Sequence, residues 1–321
     1  MLQIRSQCLA FLRAFFYKKD TIEVDSPLLS PGTAPDAQIE PVSARLHPPG
    51  QPVHTRYLIT SPELALKRLL AEGVSDLFYL GKVFRDHELG RWHQIEFTLL
   101  EWYHQGWSMN ALMQETAQLI QQVLSRFGDQ AWRDWPVETL SYQAAFARYA
   151  GIEDLWHADT EQLRACLQAY KVPEVVGVAP QARTLWMQLV WTQVIEPQLG
   201  QDCIACVHHY PADQAALAQL DPDDPRWALR FEVYVAGQEL ANGYQELEQA
   251  QVYRTRWQHQ NQTRQAQGAE ALPMDQAFLQ TLAQQPLPSA SGVALGVDRL
   301  LALALGQPSV SSVMAFDFDH A

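Results

Sequence analysis

The chain has 321 residues, 47% hydrophobic and only 18% charged, with 23 Lys and Arg against 36 Asp and Glu for a net charge of −13. This composition supports a large buried core and excludes a disordered chain; it also argues against a protein that grips nucleic acid through its phosphates, which needs a basic face. No apolar run approaches the roughly 18 residues of a membrane helix, so no membrane contact is expected and the location is expected to be cytoplasmic.

Residues 2–18 mix apolar positions with Arg5, Arg13 and Lys18 at helical spacing, and no small-residue cleavage site follows. They read as an amphipathic core helix and not as a signal peptide. Thr21 to Pro27 reads as a strand that ends, or lies at a sheet edge, because Pro27 has no amide hydrogen to give. A proline-rich connection from Arg45 to Arg56 precedes Tyr57 to Thr60. Ser61-Pro62-Glu63 then opens a helix, with Ser61 as the expected N-cap and Pro62 at the first helical position. Leu77 to Phe84 and Glu96 to Trp102 read as apolar strands joined by a polar loop, and Met109 to Phe127 as a helix. Residues 142–199 turn helical, with Asp159 or Thr160 as a cap and Leu185 to Val194 as a helix whose Trp186, Met187 and Trp191 belong to a core.

Four cysteines, Cys8, Cys166, Cys203 and Cys206, are too few and too scattered for a secreted disulfide framework. Cys203 and Cys206, followed by His208 and His209, look like half a zinc site. The segment from Cys203 to Tyr210 reads as a strand, however, where residues three apart face opposite ways and cannot share an ion. Strands return at Arg230 to Val235. The next turn falls either at Asn242-Gly243, or at Ala236-Gly237 with Gly243 as a bulge. Residues 258–267 carry no chemistry, and the chain closes with a glycine-rich strand and helix from Ser291 to Leu305. The expected architecture is α+β: an antiparallel sheet flanked by helices, one domain over residues 1–321 with a helical insertion at about 142–199.

Three segments carry chemistry. In the first, Arg85, Arg91 and His93 crowd one hairpin, and guanidinium groups pair bidentately with phosphate oxygens. In the second, Glu239 and Glu246 flank Asn242-Gly243; acids gathered in an apolar segment repel unless a cation or ammonium lies between them. In the third, Gly292 and Gly296 permit close backbone approach ahead of Asp298-Arg299 at a helix start.

Pro27 closing a strand, an arginine hairpin running into Glu96-Phe97-Thr98, and the glycine strand with Asp298-Arg299 resemble, in order, the three motifs of class II aminoacyl-tRNA synthetases. Ser61-Pro62-Glu63, the run from Glu96 to Tyr103 and the run from Glu239 to Glu246 are closest to the lysyl branch. A lysyl-tRNA synthetase would need a further anticodon-binding barrel, about 100 residues, ahead of the first motif. Starting instead on the helix before that motif, the chain resembles the elongation factor P–(R)-β-lysine ligase family.

The resemblance implies a six- or seven-stranded antiparallel sheet and a homodimer formed through the first motif. It also implies activation of (R)-β-lysine with ATP and Mg2+ and transfer to a lysine of elongation factor P, with no tRNA. Arg85 would hold the α-phosphate, and His93 and Arg299 the outer phosphates, with Arg85 and Arg299 as the catalytic pair. Phe97 would stack on adenine, and Gly296 would admit the nucleotide to the backbone; Asp86, His87, Gln94 and Leu240 complete the ATP contacts. Glu239 and Glu246 would hold magnesium or the substrate amine. Ser61, Pro62, Glu63, Tyr103 and Glu246 would line the β-lysine pocket. The pattern departs at His87, Gln94 and Ile95, where the family usually has Glu, Asn and Pro. Competing readings are a free-standing tRNA-charging or amide-forming adenylating enzyme, and an inactive regulatory paralogue.

Overall fold

The computed structural model describes residues 1–34, 36–173 and 177–321. Helix α1 (Leu2–Tyr17) leads into β1 (Ile22–Glu23), a two-residue edge strand paired in parallel with β5 (Leu77–Phe84). The strand expected up to Pro27 thus stops four residues early. Its backbone is met by only one neighbour, which suits a segment running into a proline. Between β1 and β5 lie β2 (Leu29–Ser30), β3 (Ser43–Leu46), β4 (His54–Leu58) and helix α2 (Glu63–Ala71). Strands β2, β4 and β3 form a small separate sheet, so most of the expected proline-rich connection is a hairpin with strand at both ends. Pro62, not Ser61, is the N-cap of α2; the Ser61 hydroxyl accepts only a 3.4 Å contact from the Glu63 N–H.

Strand β6 (Glu96–Gln105) pairs antiparallel with β5, and α3 (Met109–Phe127) follows, capped where Ser108 accepts the Ala111 N–H at 3.3 Å. Strand β7 (Val137–Ser141), helices α4 (Tyr142–Ala150), α5 (Thr160–Ala169) and α6 (Arg183–Val190), and β8 (Ile204–Pro211) form the helical segment and its two bounding strands. Asp159 caps α5 through a reciprocal box with Gln162. Trp186, Met187 and Trp191 are buried together, with Trp191 stacked on Tyr142 at 4.3 Å, as the sequence predicts. Cys206 packs in the core on one face of the sheet, with Ile204. Cys203 packs on the other with Ala205 and Val207, which bears out the strand reading.

Strands β9 (Trp227–Val235) and β10 (Gln238–Gln245) form a hairpin whose turn is Ala236-Gly237, both at positive φ. Left-handed Ala236 is unusual, and its N–H donates to the Gly200 carbonyl at 2.6 Å while Gly237 donates to Leu199 at 2.8 Å. The bulge falls between Glu239 and Ala241, not at Gly243, which sits in regular register opposite Phe231 and Val293. Helices α7 (Ala250–Ala266) and α8 (Gln276–Gln284), strand β11 (Ala290–Gly296) and α9 (Val297–Ala304) complete the chain.

The main sheet runs β1-β5-β6-β11-β10-β9-β8-β7. It has eight strands instead of six or seven, because β1 and β7 each add a parallel edge strand to six antiparallel ones. One face is covered by α1, α3 and α9, where Phe16, Phe78 and Trp102 are fully buried, each worth about 2–3 kcal/mol of transfer free energy. The other face meets α2, α7 and α8 at its β5 end and α4 and α6 at its β8 end, and it is open as a cleft between them.

Candidate active site

The cleft is a cavity of about 290 Å³ on the open sheet face. Strand alternation supplies most of its floor. Phe97, Leu99, Glu101 and Tyr103 of β6 all point into it, while Leu100 and Trp102 between them point into the opposite core. On β11 the residues opposite are small: Gly296 faces Leu99, Ala294 faces Glu101 and Gly292 faces Tyr103. A Cβ at Gly292 would overlap both the Tyr103 ring and the Glu246 carboxylate, so the glycine makes room for two site residues.

Strand β10 contributes Glu239, Asn242, Tyr244 and, just past its end, Glu246. Glu239 and Glu246 are seven apart, an odd spacing that would put them on opposite faces of a regular strand. The bulge at Leu240 reverses the alternation and brings both to the cavity. They still lie roughly 20 Å apart along the strand, so they cannot share one ion. The expected metal pair is therefore not formed. The acid that acts on Glu239 is Glu232 of β9: burial and the Glu232 charge raise the Glu239 carboxyl to about 7, against the pull of Arg299, Arg230 and Arg85. Among the described residues no three His, Cys, Asp or Glu side chains form a metal-ligand cluster.

One end of the cavity is cationic. Arg85 follows β5, its N–H bonded to Ile95 at 2.9 Å and its Nε donating to the Thr60 carbonyl at 3.3 Å. Its guanidinium lies 5.2 Å from the centre of the Phe97 ring. Arg299 stands on the first turn of α9 and donates to the carbonyls of Trp92 and Glu239, each at 3.0 Å. Its neighbour Asp298 is buried; it accepts the Thr98 N–H at 2.7 Å and pairs with Arg5, which fixes the start of α9 against β6 and α1. The third Arg299 nitrogen donates to His93 Nε2. Burial, Arg299 and Arg85 together lower the His93 imidazole to about 4, so it is neutral and carries its proton on Nδ1.

The other end is acidic. Glu63 opens α2, Glu101 sits mid-strand on β6 and Glu246 follows β10. Burial, and then the Glu63 charge, raise Glu101 to about 8, although the Tyr103 hydroxyl donates to it at 2.7 Å. Its second oxygen is buried without a partner among the described residues. Burial raises Glu246 to about 7 despite the nearby Lys67 ammonium. Lys67, one turn beyond Glu63 on α2, is fully buried and paired with both Glu63 and Glu246.

Of the residues proposed from sequence, Ser61, Glu63, Arg85, His93, Gln94, Phe97, Tyr103, Glu239, Leu240, Glu246, Gly296 and Arg299 line this one cavity. Asp86, His87 and Pro62 do not. The Asp86 carboxylate accepts the N–H of His87, which is held at a positive φ, and the following Glu88 is the loop residue that reaches the cavity. Pro62 borders a smaller adjoining cleft. Gln94 lines the wall, but its amide is engaged elsewhere: it donates to Ser311 at 3.2 Å and accepts the Phe318 N–H at 3.0 Å. The sequence reading passed over Lys67, Glu101, Glu232 and Asn242. Glu101 had a usable signal, since it lies on the same alternating face as Phe97 and Tyr103.

A family model described as tRNA synthetases class II (D, K and N) matches residues 1–319. Curated relatives named elongation factor P–(R)-β-lysine ligase, from Klebsiella pneumoniae (strain 342), Salmonella paratyphi B (strain ATCC BAA-1250 / SPB7) and Salmonella heidelberg (strain SL476), are each 42% identical over 318 residues. The match covers 99% of this chain and 94% of each relative. The order of the three motifs, the cavity they line and these likenesses agree: the chain belongs to the class II tRNA synthetase family of the D, K and N type, in the branch of the elongation factor P–(R)-β-lysine ligases.

Proposed function

We propose that this protein is an ATP-dependent ligase that activates (R)-β-lysine as an acyl adenylate and transfers it to a lysine side chain of elongation factor P. The observation that carries this reading is the polarity of this cavity. A guanidinium end suited to a polyphosphate faces an end with three carboxylates, which suits an amino acid carrying two ammonium groups. The relatives' names supply the particular amino acid and acceptor.

In the first step the substrate carboxylate attacks the α-phosphorus of ATP, and the bond from that phosphorus to the pyrophosphate oxygen breaks with its electron pair. Positioning and charge neutralisation do most of the work in such displacements. Arg85 neutralises the α-phosphate as charge builds on it. Arg299, steadied by two carbonyls, and His93, offering Nδ1–H, hold the outer phosphates. Phe97 is the adenine platform. Glu239 and Glu232 are the residues that would hold Mg2+. The Glu239 carboxylate has no hydrogen-bond partner among the described residues and faces the charge of Glu232, a repulsion that a divalent cation relieves. Bound there, the ion supplies charge neutralisation to the departing pyrophosphate. Ser61, Glu63, Glu101, Tyr103 and Glu246 bind the amino acid. In the second step an uncharged lysine amine of the acceptor attacks the acyl carbon, an amide forms, AMP leaves and one proton is released.

We read residues 1–321 as one catalytic unit with residues 142–199 inserted in it. Its location is taken as cytoplasmic and its active form as a homodimer, with tRNA not used as acceptor. No helix of the described residues is long and apolar enough to cross a membrane. Leu2, Tyr17, Ile22, Leu28 and Leu29, on and after α1, expose apolar surface that a second subunit would cover.

ATP–pyrophosphate exchange without tRNA, with (R)-β-lysine, α-lysine and aspartate in parallel, tests the reading. The expected result is exchange strongest with (R)-β-lysine. Preference for α-lysine or aspartate would move the assignment to another adenylating enzyme, and a folded protein inert with all three would be a regulatory paralogue.

A further inference from the structure

Among the described residues Lys67 is the one fully buried cation of the acidic end, and it does not line the cavity. Its ammonium sits behind the wall, paired with Glu63 from its own helix and with Glu246 from the end of β10. The rings of Tyr103 and Tyr253 lie 5.9 and 5.4 Å from it, so aromatic faces close its remaining sides. Its neighbours on α2, Leu64, Leu66 and Leu70, are buried apolar residues. A leucine or methionine could fill the same space, and a buried ion pair is a weak reason to keep a lysine on stability grounds alone.

Both of its partners are wall residues of the amino-acid pocket. We propose that Lys67 is a positioning residue that sets specificity: its fixed charge holds Glu63 and Glu246 aimed across the cavity, and once the three carboxyls of the pocket are ionised by an arriving substrate it leaves them two negative charges in excess. Three carboxylates against one ammonium give that excess, and a substrate with two ammonium groups cancels it. An amino acid with a single amine leaves one buried carboxylate unpaired and is rejected for that reason. Because Lys67 is caged, substrate cannot displace it, so the charge it contributes is the same in the empty and the filled site. This inference rests on the proposed diamino-acid substrate and deepens it.

The groups facing this ammonium are Glu63 on its own helix, Glu101 and Tyr103 on β6, Glu246 after β10 and Tyr253 on α7. Burial works against the charge on Lys67, but Glu246 and Glu63 more than reverse that effect and hold the ammonium well above the usual lysine range. It therefore stays charged wherever the carboxylates titrate. Without it, Glu246 would lose the counter-charge that opposes its burial and would hold its proton more tightly.

The test compares wild type with Lys67→Met and Lys67→Arg. In pyrophosphate exchange, Lys67→Met should raise KM for (R)-β-lysine about 30-fold or more, as loss of one partner of a buried charge pair does, with KM for ATP unchanged. Its preference for (R)-β-lysine over (R)-3-aminohexanoate, which lacks the second amine, should shrink. The pH above which the amino-acid KM levels off should move up by at least about one unit, since a pKa shift follows the lost counter-charge. Lys67→Arg should restore part of the affinity and the wild-type pH profile. An unaltered amino-acid KM and pH profile in folded Lys67→Met would overturn the proposal, and so would tighter substrate binding, which would make Lys67 a competitor for the substrate's place. Carboxyl titration of the ligand-free proteins by 13C NMR separates this inference from the substrate assignment. If wild type does not use (R)-β-lysine, the substrate reading falls, whereas Glu246 titrating at the same pH with and without Lys67 sinks the counter-charge itself.

Discussion

The two ends of the cavity keep their charge in opposite ways. At the nucleotide end, Arg85 and Arg299 are braced by backbone carbonyls of Thr60, Trp92 and Glu239, which orient the guanidinium groups without neutralising them. A guanidinium does not lose its proton in a protein, so this end is cationic whether or not a ligand is bound. At the amino-acid end, Glu101 and Glu246 are raised to about 8 and about 7, so at neutral pH the empty pocket holds protons that an arriving ammonium must displace. The arginines of the first end are preorganised, with Glu239, raised to about 7, as the titrating group beside them, whereas the acids of the second end respond to pH and to occupancy together. Variants at the two ends should therefore differ in kind as well as in size.

The largest effect is expected from Arg85→Ala. Removing a preorganised donor from developing transition-state charge costs about 100- to 1,000-fold in turnover. The loss should appear in kcat for pyrophosphate exchange, with the amino-acid KM changed far less. A rise in the amino-acid KM as large as the fall in kcat would break the contrast between the ends. Gly292→Ala should come next and should be confined to the acidic end. The added methyl overlaps Tyr103 and Glu246, and overpacking of this kind costs about 1–3 kcal/mol. The expected reading is KM for (R)-β-lysine raised roughly tenfold or more, with KM for ATP unchanged.

The pH dependence of the amino-acid KM sharpens the comparison further. A carboxyl raised to about 8 must lose its proton to meet an ammonium, so KM should fall as pH rises from 6 and level off above about 8. One such group gives a slope of about tenfold per pH unit below its pKa. Glu101→Gln should flatten that part of the slope while leaving the ATP profile in place. If Glu101→Gln changes the pH profile of KM for ATP, which Glu239 shapes at its own end, the two ends are not separate.

How far these ends could be read from sequence follows from the same geometry. The cationic end is carried by short contiguous runs, Val83 to His93 and Gly292 to Arg299, and its arginines and glycines are conspicuous in a chain with few positive charges. The acidic end is assembled from α2, β6 and the residue after β10, so its members become neighbours only in the fold. Glu101 was hidden between apolar residues and visible only through the alternation of β6. Lys67 lay in an amphipathic helix, where a lysine ordinarily reads as exposed. The pairing of Glu239 with Glu246 failed because a bulge can restore the facing of a residue but cannot shorten a strand. Edge strand β7 escaped notice for a related reason, because its parallel pairing with β8 joins segments more than 60 residues apart, whereas β1 was legible as an edge strand and only its length was overestimated.

The smallest expected effect lies where the sequence implied a ligand contact and the structure gives an internal one. Gln94 is nearly buried, and its amide joins the arginine hairpin to the C-terminal segment through Ser311 and Phe318. Two further bonds run the same way: Arg91 Nε donates to the Pro308 carbonyl, and the Val310 N–H donates to Arg91 at 3.0 Å. Val310 itself lines the cavity, so this contact ties the tail to the nucleotide wall. Gln94→Ala removes two of the four bonds and should lower stability by about 1–2 kcal/mol, the net worth of two neutral hydrogen bonds. If the tail steadies the hairpin, KM for ATP should rise a few-fold while kcat at saturating ATP and the amino-acid KM stay put, because the arginines are still held by their own carbonyls. A large fall in kcat would instead mean that Gln94 touches the nucleotide directly, and the tail would then be packing and nothing more.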